Sequence, residues 1–419
     1  MTVYTRTGNF GCVNIHYKQH MVIKSVIIAI GDEVLSGAIV NRNAAWLSRQ
    51  LLQLGWEVDR HVVIPDQRAV IQQQVAASIA DYPLVIATGG LGPTYDDLTR
   101  DAVAELLHTP LKRHEAVADD LRHRYGEALI SLEQQALVPE KAIVLRNRVG
   151  TAPGLLFPTE KGCVVLLPGV PFEMRTIFEE ELIPYLCRHF VGQTKPTTLV
   201  SLFKLPESAV DPFLRTLDVE CGIYPALGLL QVRLSDPDPF KLEKARERFV
   251  SQFRDHLYEP TGPIELAVQK QLEKRGETVA VAESCTGGAV AARFTRLPGI
   301  SQVFLGGVVT YSNRLKEELL GVTSISAYGS VSRETVAQMA WGLEELMDAD
   351  WALAVTGIAG PTGGTAEKPI GTVWCALKKR GSDPRVWPLL AHGSREMIIE
   401  RSVNDLLATL YSQLVKIEQ

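Results

Sequence analysis

Two glycine loops, each set between an apolar run and a helical one, constrain this chain more than any other feature. The first, Thr88-Gly89-Gly90-Leu91-Gly92-Pro93-Thr94, follows Pro83-Leu84-Val85-Ile86-Ala87. The second, Glu283-Ser284-Cys285-Thr286-Gly287-Gly288, follows Thr278 to Ala282. Short continuous apolar runs read as strands buried on both faces, the signature of a parallel sheet covered by helical crossovers. The segment before the first loop supplies the crossovers. Val22 to Ile30 reads as a strand, and Asn41 or Asn43 can cap a helix carrying Leu47, Leu51 and Leu54, stopped at Gly55. Trp56 to Ile64 is a second strand, and Asp66 can cap a helix carrying Val70, Ile71 and Val75. This β-α-β-α-β order predicts ligands beyond the carboxyl ends of the strands.

At 419 residues the chain exceeds one domain of ~100–200 residues. After Pro168-Gly169 the rhythm changes to strand Leu199–Phe203, helix Glu207–Leu217, strand Gly228–Leu234 and an amphipathic helix Phe240–Leu257. Glu259-Pro260-Thr261-Gly262-Pro263 reads as a linker. The expected fold class is α/β. Two three-layer α/β domains with mostly parallel sheets, residues 21–174 and 261–419, are joined by a small α+β domain over 175–260. Residues 1–20 contain no acid and no apolar run, and read as a disordered extension rather than a signal peptide.

Charge and cysteine usage exclude several functions. Lys plus Arg is 43 against 48 Asp plus Glu, a net charge of −5, so no basic surface for direct nucleic-acid binding is expected. No apolar stretch approaches the ~20 residues that span a bilayer. The six cysteines include no C-x-x-C pair, which speaks against a zinc site or disulfide framework and for a cytoplasmic protein with reduced thiols.

Around the first loop, glycines allow close backbone approach and offer N–H groups to an anion. Asp96 and Asp97 follow the loop, and Asp32 and Glu33 follow the first strand on the same rim. Hard cations prefer carboxylate oxygens, so this rim suits metal-assisted chemistry on a phosphorylated ligand. The plainer alternative is that Asp96 caps a helix and the glycines only turn the chain.

At the second loop, Ser284 sits where a strand turns into a helix, and helix-start N–H groups there can hold an oxyanion. A serine nucleophile needs a base. His392, the only histidine after position 256, lies apart from the glycine loops, whereas Tyr311 and Lys316 in Tyr-Ser-Asn-Arg-Leu-Lys offer a phenol and an amine. Burial that lowers a lysine pKa makes a Ser–Lys pair workable. Tyr311 ends the strand Val303–Thr310, which can lie beside the Ser284 strand, so Ser284, Tyr311 and Lys316 are expected to converge. Cys285 is a rival nucleophile without an evident base. Thr356-Gly357 opens a further loop, and Arg395, at a helix start beside a glycine, suits a phosphate. The plain alternatives are a solvated Lys316 and a surface role for Arg401.

Several strings make a family resemblance. Gly31-Asp32-Glu33-Val34-Leu35-Ser36-Gly37, Asn41 and Asn43, and the 88–94 loop with Asp96-Asp97-Leu98-Thr99 resemble the molybdopterin-binding fold family. Asn147 to Gly154 and Leu167 to Met174 narrow this to the CinA (competence/damage-inducible protein) family. The second constellation resembles its C-terminal nicotinamide mononucleotide amidase domain. The resemblance implies hydrolysis of nicotinamide mononucleotide by the C-terminal domain, without a cofactor, and of ADP-ribose by the N-terminal domain. It implies Ser284 as nucleophile, Lys316 as base and Tyr311 as its partner, with Thr356 and Arg395 positioning substrate. Thr286, Gly287, Gly288 and Gly357 complete the expected binding set behind. Gly89, Gly90, Gly92, Thr94 and Asn41 form the set in front, with Asp32, Asp96 and Asp97 as ligands of a divalent cation. A homodimer is expected, since symmetric dimers are the commonest assembly. The alternatives are a non-enzymatic accessory in competence or the DNA-damage response and a molybdopterin-binding module.

Overall fold

The structure is a computed structural model that describes residues 24–126, 129–190, 196–260 and 262–416. The expected extension over 1–20 lies outside the described residues. The chain divides into two compact units at Pro196/Thr197.

The first unit is an α/β sandwich. Its elements run β1 (Lys24–Ile30), α1 (Arg42–Gln53), β2 (Glu57–Ile64), α2 (Arg68–Asp81), β3 (Leu84–Thr88), α3 (Thr99–Leu106), α4 (Glu115–Tyr125), β4 (Ile143–Leu145), β5 (Gly154–Pro158), β6 (Cys163–Leu167) and α5 (Pro171–Ile177). The sheet order is β2-β1-β3-β6-β5-β4. The first four strands are parallel, and β5 and β4 are added antiparallel. Strand side chains alternate between faces. Val26, Ile28, Val85 and Ala87 pack under α2 and α3, while Ile27, Leu84, Ile86 and Val165 pack under α1 and α5. Both faces are therefore dry.

Three expectations change here. The boundary at 174/175 falls inside a helix: α5 continues through a π turn, Phe178–Leu182, into Ile183–His189. Pro184 lacks an N–H and crowds the turn before it, which accounts for the widening. Ile177, Phe178, Leu182 and Leu186 are buried against this sheet, so the first unit keeps the whole helix. Asp66 does not cap α2, which starts after Gln67 without a side-chain cap; it accepts the Asp32 backbone N–H at 3.1 Å. The helix expected near Asp96 begins at Thr99.

The second unit holds an α+β layer and an α/β layer. The α+β layer consists of β7 (Thr197–Phe203), α6 (Glu207–Leu214), β8 (Glu220–Ala226), β9 (Leu229–Ser235), α7 (Pro239–Gln252) and β10 (Leu257–Tyr258), in antiparallel order β8-β9-β7-β10. The α/β layer follows as α8 (Ile264–Arg275), β11 (Val279–Glu283), α9 (Ala289–Thr295), β12 (Phe304–Val309), α10 (Asn313–Leu320), α11 (Arg333–Met347), β13 (Trp351–Gly357), β14 (Thr372–Lys379), β15 (Arg385–Leu390) and α12 (Arg395–Lys416). Its sheet order is β12-β11-β13-β14-β15, with the first three strands parallel and the last two antiparallel. One face carries Val279, Val281, Leu353 and Val355 under α8, α9 and α12. The other carries Ala280, Ala282, Ala352, Ala354 and Ala376, small side chains that let α10 and α11 lie close. Gly342 on α11 marks that approach, since a Cβ there would overlap the Leu320 carbonyl.

The α+β layer shares an apolar core with the α/β layer. Phe203, Leu229 and Tyr258 pack with Ile264, Val268 and Tyr411. Lys204 Nζ bonds Thr409 at 2.6 Å and pairs with Asp405 at 3.1 Å. The Glu259 N–H donates to the Tyr411 hydroxyl at 3.0 Å.

Candidate active site

Register alone brings the second site together. Glu283, the last residue of β11, pairs with Val309 and with Val355. Ser284, Thr310 and Thr356 therefore share one rim, where open parallel sheets place their ligands. The Ser284 N–H donates to Val355 O at 3.0 Å, and the Thr310 N–H to Glu283 O at 2.8 Å. Ser312 then caps α10, whose first turn turns Lys316 inward.

Lys316 is 1% exposed and Ser284 7%. The Lys316 amine donates to Ser284 Oγ at 3.0 Å, to Thr310 O at 2.6 Å and more weakly to Tyr311 O at 3.5 Å. Burial lowers its pKa from the ordinary lysine value. The acceptors are a hydroxyl and two carbonyls, and no carboxylate is among them. Cys285 is buried, and burial pushes its thiol up to about 12, which leaves it an inert core residue.

The tyrosine is placed differently from the expectation. Its side chain is exposed, and its hydroxyl accepts Arg395 Nη2 at 2.9 Å; only its carbonyl approaches Lys316. Arg395 Nη1 also donates to Gly360 O at 2.7 Å, which ties the Gly357–Pro361 loop to the start of α12. Thr356 is buried and donates to Ser330 O at 2.8 Å, so it braces the rim. At Gly357 a Cβ would crowd Val373.

The helix start expected to hold an oxyanion is already occupied. The Glu283 carboxylate, 1% exposed, accepts the N–H groups of Gly288 at 3.0 Å, Val290 at 3.1 Å and Ala291 at 2.9 Å. The Gly287 N–H goes to Ser284 O and that of Ala289 to Thr286 O. Gly287 and Gly288 adopt φ of +61° and +99°, the left-handed turn that folds the chain back onto Glu283. Sequence reasoning passed over Glu283 because a strand-end carboxylate carries no signal of which N–H groups it will meet.

In the first unit, a cavity of about 990 Å³ opens at the carboxyl ends of β1 and β3. Gly89, Gly90, Gly92, Asn41, Asp96 and Asp97 line it. Gly89, at φ +106°, lies so close to Ile30 O that a Cβ would overlap it. Asn41 Oδ1 caps α1 by accepting the Ala44 N–H at 3.0 Å, while Asn43 Nδ2 donates to Gly169 O at 2.7 Å. Thr94 donates to Asp96 and Asp97 through its hydroxyl, and Asp97 also accepts its N–H at 2.9 Å. Asp32 is not among the lining side chains; Glu33, Asp66 and Glu173 are. Asp66 is raised above the ordinary carboxylate range, chiefly by burial and further by the charges of Glu33, Asp32 and Asp96, against the bond from the Asp32 N–H. Among the described residues no three His, Cys, Asp or Glu side chains form a metal-holding cluster. The donor set fits a hard cation only in the mode that takes one or two carboxylates and draws its other ligands from a bound phosphate.

These features define a two-site α/β protein with a serine–lysine pair in the second unit and a glycine-lined, acid-rimmed cavity in the first. A model of the CinA C-terminal domain matches residues 262–414, and one of a probable molybdopterin binding domain matches residues 26–188. The chain belongs to the CinA family. A CinA-like protein of Thermosipho melanesiensis is 37% identical over 389 residues, covering 90% of this chain and 96% of its own length. A putative competence-damage inducible protein of Caldanaerobacter subterraneus subsp. tengcongensis is 37% identical over 398 residues, covering 91% and 96%. A crystal structure of a CinA protein from Thermoplasma acidophilum, 32% identical, covers 39% of this chain and 98% of its own, with a TM-score of 0.37. No helix among the described residues is long and apolar enough to cross a membrane.

Proposed function

We propose that the second unit hydrolyses the carboxamide of nicotinamide mononucleotide to nicotinate mononucleotide and ammonia. The buried Lys316 amine 3.0 Å from Ser284 Oγ carries this reading. Ser284 Oγ attacks the carboxamide carbon while its proton passes to neutral Lys316. The carbonyl π electrons move onto oxygen. When the tetrahedral adduct collapses, the C–N bond breaks and the Lys316 ammonium returns the proton to the leaving nitrogen, releasing ammonia. Water then attacks the ester, giving a proton to Lys316, which passes it back to Ser284 Oγ as the C–O bond breaks. Arg395, held at Gly360 O and Tyr311, would meet the nucleotide phosphate bidentately. Incubation with nicotinamide mononucleotide, followed by an ammonia assay, tests the reading. Ser284→Ala should abolish release, and an inactive wild-type protein would exclude it.

A second reading concerns the first unit. The glycine loop and acidic rim of the 990 Å³ cavity support hydrolysis of ADP-ribose. Asp96 and Asp66 would hold a divalent cation together with the pyrophosphate, and a cation there would neutralise phosphoryl charge. Gly89 and Gly90 would bring backbone close to the phosphates. ADP-ribose turnover with and without a strong chelator tests it. Activity that persists in chelator removes the metal role, and molybdopterin binding without turnover would favour the binding-module alternative.

A further inference from the structure

We infer that the Thr286 hydroxyl, rather than the helix start, holds the oxyanion formed at Ser284. The inference rests on the amidase reading and names a further catalytic residue within it. A serine that turns into a helix would ordinarily use the N–H groups at the helix start for this task. From Gly287 to Ala292 each of them is committed, which leaves only the Cys285 and Thr286 N–H groups of the turn itself. Gly287 N–H bonds Ser284 O, Ala289 N–H bonds Thr286 O, and Ala292 N–H bonds Gly288 O. Gly288, Val290 and Ala291 N–H all bond the buried Glu283 carboxylate. An anion arriving there would also meet that carboxylate's charge.

Thr286 offers the donor that the helix withholds. It stands two residues after the nucleophile in the same turn, is 4% exposed, and its Oγ has no protein partner among the described residues. A buried hydroxyl without a partner costs roughly 1–3 kcal/mol, so a site that keeps one generally has a use for it. A hydroxyl rotates about one bond, so it can donate to an oxygen that becomes charged without moving the backbone. Thr310 carries a second buried hydroxyl without a protein partner, but its carbonyl belongs to the base, holding the Lys316 amine. It serves as the comparison.

The test is steady-state ammonia release from nicotinamide mononucleotide by the full chain. Thr286→Val should lower kcat about 10²-fold or more with KM nearly unchanged, and Thr286→Ser should restore most of the rate. Thr310→Val should lose less than Thr286→Val. In a Ser284→Ala background, Thr286→Val should leave nucleotide affinity unchanged, because the bond forms only as charge develops. Should Thr286→Val melt below the assay temperature, Thr286→Ala and Thr286→Ser decide the same point. Full kcat in the hydroxyl-free variant, a loss confined to KM, or a larger loss in Thr310→Val would overturn the inference while leaving the amidase reading intact. A wild-type protein that releases no ammonia would remove both.

Discussion

The Tyr311 hydroxyl accepts a hydrogen bond from Arg395 Nη2 at 2.9 Å, 84 positions further along the chain. The phenol therefore goes with Arg395, to which the proposed function gives the phosphate, and not with Lys316. Tyr311→Phe should act mainly on binding, raising KM a few-fold with kcat largely kept. Arg395→Ala should raise KM by about tenfold or more and erase discrimination between the nucleotide and its nucleoside, since a hydrogen bond to a charged group contributes about 1.5–3 kcal/mol. Steady-state kinetics on both substrates decides this. A collapse of kcat in Tyr311→Phe would return the phenol to the proton relay.

In the proposed reaction Lys316 sets the pH dependence. Only its neutral form accepts the Ser284 proton, and burial lowers its pKa from 10.5. The rate constant kcat/KM should rise with pH as this one group loses its proton, and level off below the pH at which an ordinary lysine titrates. Lys316→Arg, permanently protonated, should lie about 10³-fold or more below wild type across the range. The same shift works against the fold as pH falls below 10.5. A pKa lowered on folding means the unfolded chain binds the proton more tightly, so stability contributed by Lys316 is present above 10.5 and is lost as pH falls through the folded-state value.

Cys285 adjoins Ser284, the proposed nucleophile, but should be dispensable. Its thiol, pushed up to about 12 by burial, carries almost no thiolate at neutral pH. Cys285→Ala should retain ammonia release within a few-fold, and thiol-alkylating reagents should leave that release intact. Turnover that survives Ser284→Ala but not Cys285→Ala would transfer the chemistry to sulfur.

In the first unit, Gly89→Ala should be far more damaging than Gly37→Ala. Both positions have positive φ, but only at Gly89 would a Cβ overlap a backbone carbonyl, that of Ile30. Strain of this kind costs of order 1–3 kcal/mol, plus whatever displacement of β1 relieves the overlap. Denaturant unfolding of the two variants, with ADP-ribose affinity measured alongside, checks the difference.

The parallel cores were legible because continuous apolar runs such as Val279 to Ala282 occur only where a strand is covered on both faces. The approach of Lys316 to Ser284 was legible for a related reason: neighbouring parallel strands end together, and five residues span one turn back. Strand direction was not legible at the sheet margins. Leu155 to Phe157 and Val373 to Leu377 are apolar whichever way they run, so the antiparallel additions appeared only in the structure. The end of the first unit was hidden similarly, since α5 and its continuation to His189 look like any amphipathic helix until the face they cover is known. Side-chain aim was the least legible. Nothing in Tyr-Ser-Asn-Arg-Leu-Lys distinguishes a phenol turned toward Lys316 from one turned toward Arg395.

The α+β layer over Thr197–Tyr258 contributes Phe203, Leu229 and Tyr258 to the core that buries Tyr411, and Lys204 to a pair with Asp405 on α12. Excision at residue 261 would strip that helix of its cover. It would leave the Tyr411 ring facing solvent and Asp405 without its cation. A free-standing fragment cut there should be sticky and short-lived at high concentration, and polar replacements on the bared helix face should cure it.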